Sequence, residues 1–298
     1  MKSFYKVCIK LAIGIIGLGI ILTIIGFTTG GTISRLRVGA IRIGDSINSD
    51  KKRDNNINTL NQEYTGVESI DIDIHYGEVV IKQGDKFEIE SNNTENNNLE
   101  SYMDGNTWKI EDEGKFNFSI FGIQIGDRGI GFENDKSNIT IYIPKDFKAN
   151  KVSVDLGAGT IDIDQIAGDN VSLDVGAGEL HVNQLYAYEK ADFTVGAGEI
   201  VIDNIEASQA DIECGLGSVT MNGVLKGDSS IDCGVGEVTL NLEGKEEDYN
   251  YYVDSGVGDV IINDDKYSFT SSTKKVNDNA KGDFDIECGV GNVTILVN

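Results

Sequence analysis

The fold of this chain is decided by the stretch Val152-Ser153-Val154-Asp155-Leu156-Gly157-Ala158-Gly159-Thr160-Ile161-Asp162-Ile163, in which a Gly-x-Gly tripeptide separates two alternating segments. Apolar and polar residues alternate on both sides of the tripeptide, and a period of two indicates β-strands with one buried face. The two glycines favour a bend at which a Cβ would clash or φ must be positive. The stretch therefore predicts a strand, a glycine bend and a second strand.

The same tripeptide recurs along the chain at nearly even intervals. Its first glycines are Gly157, Gly176, Gly196, Gly215, Gly234, Gly256 and Gly289. A period near 20 residues is typical of a solenoid in which each coil stacks on the next, and the longer last step indicates an insertion. An earlier coil is indicated at 71–81, where His75 stands in the place of the first glycine. We therefore predict an all-β, single-stranded β-helix of about eight coils.

Superposing the repeats predicts columns of side chains along the stack. The inward column before the bend holds Leu156, Val175, Val195, Cys214, Cys233, Ser255 and Cys288. The outward column beside it holds Asp155, Asp174, Thr194, Glu213, Asp232, Asp254 and Glu287. The column after the bend holds Thr160, Glu179, Glu199, Ser218, Glu237, Asp259 and Asn292. A further polar column, which can form hydrogen bonds between coils, holds Asp164, Asn183, Asp203, Asn222, Asn241 and Asn263.

The cysteines of the repeats are predicted to pack in the core, because free cysteine behaves as a small buried hydrophobe. Cys214, Cys233 and Cys288 are too far apart in sequence for a zinc site built from closely spaced pairs. Neighbouring coils would bring Cys214 and Cys233 close enough for a disulfide, so their oxidation state stays open. Acylation of Cys8, near the start of the apolar segment, also stays open.

An apolar segment near the start of the chain predicts a membrane anchor. Residues 11–34 carry no charged side chain, and a helix of this length exceeds the roughly 30 Å hydrocarbon core. We predict an anchor helix with a short basic N-terminus at 1–34, a polar linker at 35–65 and a β-helix at 66–298. Within the β-helix, 66–149 would form irregular first coils and a cap, and 150–298 the regular coils. A cleavable signal peptide is the rival interpretation, although no small-x-small cleavage site is evident.

The chain is strongly acidic, with a formal net charge of −24, and the basic residues of 1–45 leave the remainder more acidic still. Such a surface repels nucleic acid and anionic lipid, so we predict no nucleic-acid partner. Cationic partners and weak binding of divalent cations to the outward acidic column are compatible with it. No loop supplies the six or more oxygens that a defined calcium site needs, so we assign no metal residues.

No residue is assigned to catalysis or to cofactor binding, and we predict a protein that is not an enzyme and has no cofactor. The Gly-x-Gly tripeptides do not match a nucleotide site, which requires a strand leading into a helix. His75 and His181 lie in different coils and accompany no nucleophile motif. A glycosidase needs only two carboxylates at a suitable separation, and acidic columns supply such pairs by chance.

Several features together resemble one known family. These are the apolar N-terminal segment, the opening Asp71-Ile72-Asp73-Ile74 with Gly77-Glu78-Val79, the step Ile141-Tyr142-Ile143-Pro144 and the serial Gly-Ala-Gly coils. The chain from about 67 to 298 resembles the bacterial "putative adhesin" family, also called toastrack domains. The resemblance implies a right-handed β-helix, a location outside the membrane and a link to cell-envelope or envelope-stress systems. That family has no established catalytic or binding motif to carry over.

The sequence favours one function and leaves two alternatives. We expect a single-pass, membrane-anchored β-solenoid whose C-terminal domain is extracytoplasmic, acting as an adhesin-like or envelope-stress-related interaction module. Its partners would be the membrane, through the N-terminal helix, and an envelope protein or cell-wall polymer. The first alternative is a carbohydrate-active enzyme on a β-helix. The second is a cytoplasmic-facing scaffold that polymerises, because the positive charges flanking the apolar segment are balanced and do not set its orientation.

Overall fold

The computed structural model describes residues 59–92, 99–112, 118–120, 123–125, 138–268, 271–278 and 280–298. The predicted anchor at 1–34 and most of the predicted linker at 35–65 lie outside these residues. Among the residues that are described, no helix is long and apolar enough to cross a membrane. The chain from Ile57 to Asn298 forms one compact unit.

Most of the described chain is β-strand, which confirms the all-β prediction. The strands are β1 (Thr59–Tyr64), β2 (Ser69–Gly84), β3 (Phe87–Asn92), β4 (Leu99–Asp104), β5 (Thr107–Asp112), β6 (Phe118–Ile120), β7 (Ile123–Ile125), β8 (Asn138–Pro144), β9 (Ala149–Val175), β10 (Glu179–Val195), β11 (Glu199–Ala207), β12 (Ala210–Cys214), β13 (Ser218–Leu225), β14 (Ser229–Cys233), β15 (Glu237–Leu242), β16 (Tyr249–Ser255), β17 (Asp259–Ile262), β18 (Asp265–Ser268), β19 (Ser271–Lys275), β20 (Gly282–Cys288) and β21 (Asn292–Val297). Among the described residues, all of these strands belong to one sheet except β6 and β7, which form a separate pair. One 3-10 turn, Glu246–Asp248, precedes β16.

Each repeat places one strand segment in each of two parallel ladders, and the Gly-x-Gly bend joins the two segments. We call this unit a layer and name it by the first residue of its bend, from the His75 layer to the Gly289 layer. In the first ladder, before the bend, Ala191 pairs with Val171 and with Ala210. In the second ladder, after the bend, Leu180 pairs with Ile161 and Ile200. The register therefore aligns equivalent positions of neighbouring layers, as the superposed repeats predicted.

The core lies between the two ladders. Burial alternates along every regular strand, so that in the Gly215 layer Ile212, Cys214, Val219 and Met221 are each at most 2% exposed. Full burial of an aliphatic side chain contributes about 1.5–3 kcal/mol to folding. A single layer has only one row of such residues on each side, so stability depends on stacking.

The spatial order of the layers follows the sequence only as far as the Gly234 layer. That layer pairs next with the Gly289 layer, through Ile231 and Ile286, and the Gly289 layer pairs with the Gly256 layer, through Ile286 and Val253. The chain thus forms the Gly256 layer first, at a distance of one layer from the Gly234 layer. It then returns and forms the Gly289 layer between the two. The prediction that each coil stacks on the next in sequence is wrong at this end, because the insertion in the last step carries the chain back.

The opposite end of the stack is also built out of sequence order. β2, the strand of the His75 layer, pairs with β9 on one side and with β5 and β8 on the other, so that Ile72 lies opposite both Val154 and Ile110. β5 and β8 therefore form a further layer beyond the His75 layer. The predicted eleven-residue coil at 71–81 is confirmed by its register with 153–163.

Antiparallel strands cover both ends of the parallel stack. At one end β4 pairs with β5, β3 with β8, and β1 with β3; at the other β18 pairs with β17 and β19 with β16. Such coverage removes long parallel edges that could pair with another chain. β1 lies inside the range that composition assigned to the linker. It forms a strand there because Leu60 and Tyr64 pack against the core.

Candidate functional site

The edge of the stack at which the chain bends is the most regular surface of the molecule. The backbone N–H of the middle residue of each bend donates to the carbonyl oxygen of the first glycine in the neighbouring layer. The N···O distances are 2.8 Å from Ala177 to Gly157, 2.7 Å from Ala197 to Gly176 and 2.7 Å from Val290 to Gly234. These bonds run straight along the stack, so the bends form a rigid column. We call this surface the bend edge.

Glycine is required at the bends because adjacent layers approach closely. A Cβ on Gly196 would lie 2.8 Å from the carbonyl oxygen of Gly176, and one on Gly198 would lie 2.3 Å from that of Gly178. The sequence allowed two reasons for glycine at the bends, a clash of the Cβ or a positive φ. A clash explains most of the bends, and a positive φ is found at Gly159. These glycines serve the packing of backbone on backbone.

Polar side chains of the inward column before the bend form hydrogen bonds across the bend of their own layer. The Sγ atoms of Cys214, Cys233 and Cys288 donate to the carbonyl oxygen of the glycine three residues later, over 3.2, 3.2 and 3.1 Å. The hydroxyl of Ser255 donates in the same way to Gly258, over 2.8 Å. All three side chains are buried, as the inward assignment predicted, and the structure has all three thiols free, which the sequence had left open. Hydrogen bonds with the flanking thiols, together with burial, raise the pKa of Cys233.

Carboxylates line the bend edge on the side of the first ladder. In spatial order this pre-bend column reads Asp73, Asp155, Asp174, Thr194, Glu213, Asp232, Glu287 and Asp254. The structure adds Asp73 to the predicted column and places Glu287 between Asp232 and Asp254. Partial burial raises the pKa of Asp155 and of Asp174, and the nearby carboxylates of Asp174 and Asp73 raise that of Asp155 further. Repulsion between neighbouring carboxylates is therefore felt at Asp155.

A second set of polar residues follows the bend on the side of the second ladder. This post-bend column reads Glu78, Thr160, Glu179, Glu199, Ser218, Glu237, Asn292 and Asp259 in spatial order. Beside it runs an open groove of about 550 Å³ with glycines at its base. Leu216 and Val235 line the groove, and further along the bend edge Val290 and Val257 are 59% and 65% exposed. The bend edge thus combines acidic columns with an apolar row.

In the His75 layer, a side chain accepts the backbone hydrogen bonds that the bend of a neighbouring layer accepts elsewhere. The carboxylate of Asp112 accepts the backbone N–H of His75 at 2.7 Å and that of Tyr76 at 3.4 Å. In the regular layers carbonyl oxygens of the next layer accept the equivalent N–H groups. Asp112 is 5% exposed, and its Oδ1 also lies 2.9 Å from His75 Nδ1, an interaction that raises the pKa of His75. No sequence pattern pointed to Asp112, which ends β5 and takes the buried position after Trp108 and Ile110.

The remaining predicted polar positions fall into separate places. His181 lies on the second ladder, with its Nε2 3.0 Å from Asp203 Oδ2, and does not approach His75. In the polar column, the amide of Asn241 donates to Asn222 Oδ1 over 2.8 Å, which confirms a hydrogen bond between coils at that step. Within the described residues, no group of three or more His, Cys, Asp or Glu side chains is arranged to hold a metal ion.

Comparison with known proteins identifies the family. No curated protein matches the chain. Similar solved structures include a "putative cell adhesion protein" from Clostridium sporogenes, 15% identical, covering 81% of this chain and 100% of that one with a TM-score of 0.35. Others are a "putative adhesin" from Bacteroides fragilis (16% identity, 82% and 98% coverage, TM-score 0.36) and a "putative lipid binding protein" from Parabacteroides distasonis (13%, 81% and 97%, 0.42). Residues 67–284 match Toastrack DUF4097, and the chain therefore belongs to the toastrack family.

Proposed function

We propose that this chain is a membrane-anchored, extracytoplasmic interaction module, adhesin-like and without enzymatic activity, whose bend edge binds a cationic segment of an envelope protein. The observation that carries the proposal is the alignment of two acidic columns along one rigid edge. Lys190 pairs away from the bend edge with Asp192 and Asp211, and Lys226 pairs with Glu206. At the end of the post-bend column, Lys266 Nζ lies 2.9 Å from Asp259 Oδ2. The charge of the bend edge therefore favours a positively charged partner.

The apolar row refines the partner's chemistry. Leu216, Val235, Val290 and Val257 follow one another along the stack between the two acidic columns. Neighbouring strands are about 4.8 Å apart, so the row offers one apolar contact per layer. A segment with both lysines and apolar side chains would match this arrangement. Apolar contacts would add affinity that salt does not screen.

Binding of a labelled peptide of alternating lysine and leucine to the full chain tests the proposal. The triple variant Glu179→Gln, Glu199→Gln, Glu237→Gln removes three charges beside the groove and should weaken binding about tenfold or more at low salt. The matched control, Asp162→Asn, Asp164→Asn, Asp203→Asn, removes three exposed charges from the same ladder away from the bend. Equal weakening by both triple variants would show that net charge, and not the bend edge, attracts the peptide.

Two further measurements address location and chemistry. Protease added to intact cells should digest the β-sheet domain if it is extracytoplasmic, and protection from protease would favour the cytoplasmic scaffold. Incubation with cell-wall and anionic polysaccharides should release no new sugar ends. Release of such ends by the wild-type chain would establish the carbohydrate-active alternative.

A further inference from the structure

Three cysteines lie side by side in the inward column before the bend. In spatial order that column reads Leu156, Val175, Val195, Cys214, Cys233, Cys288 and Ser255. In sequence order Ser255 stands between Cys233 and Cys288, so the sequence alone pairs only the first two cysteines. The order of the layers instead places Cys288 directly opposite Cys233. We call Cys214, Cys233 and Cys288 the thiol row.

The thiol row has the spacing that a disulfide needs. Neighbouring strands of a sheet are about 4.8 Å apart, and Cα atoms joined by a disulfide are usually about 4.4–6.8 Å apart. Cys233 is opposite Cys214 on one side and Cys288 on the other, and its thiol forms hydrogen bonds with both neighbours. Cys214 and Cys288 are two layers apart, at about 10 Å, which is beyond that range. Any disulfide within the row therefore includes Cys233.

The finished fold shields the thiol row from reagents in solution. The three side chains are at most 3% exposed. Glycines of the next layer lie directly against the sulfur atoms, because a Cβ on Gly236 would be 2.5 Å from Cys214 Sγ and one on Gly291 would be 2.8 Å from Cys233 Sγ. Oxidation therefore has to occur before the Gly289 layer covers Cys233, or during local opening. The same packing protects a disulfide, once it has formed, from reductants.

The chemistry is exchange with a disulfide oxidant. The thiolate of Cys233 attacks one sulfur of the oxidant, forms a mixed disulfide and releases the other sulfur as a thiolate. The thiolate of Cys288 then attacks Cys233 Sγ, so that the S–S bond between the two cysteines forms and the rest of the oxidant leaves. The cysteines lose two electrons and two protons, which the oxidant takes up as two thiols. A bond between Cys214 and Cys233 converts to this one by the same attack of Cys288 on Cys233, with Cys214 as the leaving thiolate.

We propose that oxidation of the thiol row forms a disulfide between Cys233 and Cys288 that locks the Gly289 layer in its place. The bond joins β14 to β20, and the loop that it closes contains the whole Gly256 layer. A chain with the Gly256 layer against the Gly234 layer would have Ser255 opposite Cys233, and a hydroxyl forms no disulfide. Oxidation therefore selects the observed order of the layers. From the proposed function, this inference takes only the extracytoplasmic location, where disulfides persist.

The test is refolding of the full chain with a mixture of oxidised and reduced glutathione, followed by mapping of disulfides by mass spectrometry. Every sample carries Cys8→Ser, so that only the thiol row supplies thiols. We expect one disulfide per chain, with Cys233 in each and Cys288 among its partners. Cys214→Ser should keep the disulfide, and Cys233→Ser should form none. The disulfide of Cys214→Ser should raise its melting temperature by about 5 °C or more over the reduced form.

The variant Ser255→Cys, combined with Cys214→Ser, measures the order of the layers directly. Position 255 is opposite Cys288 and two layers from Cys233. Oxidation should therefore link Cys288 to Cys233 or to position 255. A link between Cys233 and position 255 would show that the Gly256 layer can take the place of the Gly289 layer, and would contradict the selection of one order.

Three further results would overturn the proposal. They are the absence of a disulfide to Cys288, a link between Cys214 and Cys288, and equal melting temperatures for the oxidised and reduced forms of Cys214→Ser. Melting curves of the reduced variants establish that each one folds, so that a missing disulfide is not a failure of folding. Reduced and oxidised chains should bind the lysine–leucine peptide equally, which separates this proposal from the previous one.

Discussion

The middle of the stack and its two ends follow different rules. From the Gly157 layer to the Gly234 layer, the order in space is the order in sequence, and every bend contacts an equivalent bend. At the ends the chain reverses order, uses antiparallel strands and replaces a bend carbonyl with the side chain of Asp112. The contrast shows that a repeated sequence specifies which residues pair between layers but not which layers become neighbours.

The largest expected effect is at the Gly289 layer. Phe284 is fully buried and its ring stacks on Tyr251, with centroids 5.7 Å apart. Phe284→Ala should cost about 3–5 kcal/mol, because it opens a cavity between two layers. Hydrogen exchange should accelerate mainly in β16, β17, β20 and β21.

The matched variant in the middle of the stack is Phe193→Ala, which also removes a buried ring. The faster hydrogen exchange should spread through the layers on both sides of Phe193, since each of those layers has two parallel neighbours. The Gly256 layer, beside Phe284, has an antiparallel strand on its outer side. Identical exchange patterns for the two variants would contradict the difference between the middle and the end.

The next effect concerns the glycines of the bend column. Gly196→Val should lower the free energy of unfolding by roughly 1–3 kcal/mol, because its Cβ would meet the carbonyl oxygen of Gly176. Gly105, in the turn between β4 and β5, has φ of 60° but no atom within 4 Å of a Cβ. Gly105→Ala should therefore lower the free energy of unfolding by only about 1 kcal/mol, because alanine is strained at a positive φ but meets no neighbouring atom. Urea unfolding would measure both, and an unchanged midpoint for Gly196→Val would contradict the packing argument.

Asp112→Ala tests the side chain that replaces a bend. It leaves two backbone N–H groups without their acceptor and should cost about 1–3 kcal/mol. It should also lower the pKa of His75, which an NMR titration can follow.

The sign of the pH dependence follows from the raised pKa of His75. The part of the loss that comes from the ion pair should be complete below the unfolded-state pKa of about 6.5 and should disappear as pH rises through the folded-state pKa. A difference in stability between Asp112→Ala and wild type that is the same at every pH would contradict a role for the pair.

A smaller effect, below about 1 kcal/mol, is expected in the pre-bend column. The raised pKa of Asp155 means that its ionisation disfavours the fold. Asp155→Asn should raise the melting temperature at pH 7, and the gain should vanish below the unfolded-state pKa of about 3.9. Asp162→Asn, on the second ladder, serves as the control. A lower melting temperature for Asp155→Asn would show that its charge is favourable.

The smallest effect is expected from divalent cations. We propose that calcium binds the pre-bend column weakly and relieves repulsion between layers. Thermal unfolding of the full chain in calcium should then occur slightly above that in sodium at the same ionic strength. Identical curves would leave the column without an ion-binding role.

Periodicity was enough to predict the strands, the bends and the columns, because each depends on residues close in sequence. It was not enough to order the Gly256 and Gly289 layers, since Ser255 and Cys288 are equivalent members of one column and either could follow Cys233. Asp112 was missed for a related reason. Asp112 lies 37 residues from His75 in sequence, with β3 and β4 between them, so no local pattern connects the two.

The out-of-order Gly289 layer has a consequence for protein synthesis. Both synthesis and passage across a membrane deliver the chain from its N-terminus, so the layers up to Gly234 can stack before the later ones arrive. The Gly256 layer emerges before the layer that separates it from the finished stack. If it stacked at once on the Gly234 layer, Val253 would take the place of Ile286, a close substitute, and the nascent chain would enter a kinetic trap. Correct folding therefore requires that the Gly256 layer does not pair with the Gly234 layer before the Gly289 layer is in place between them.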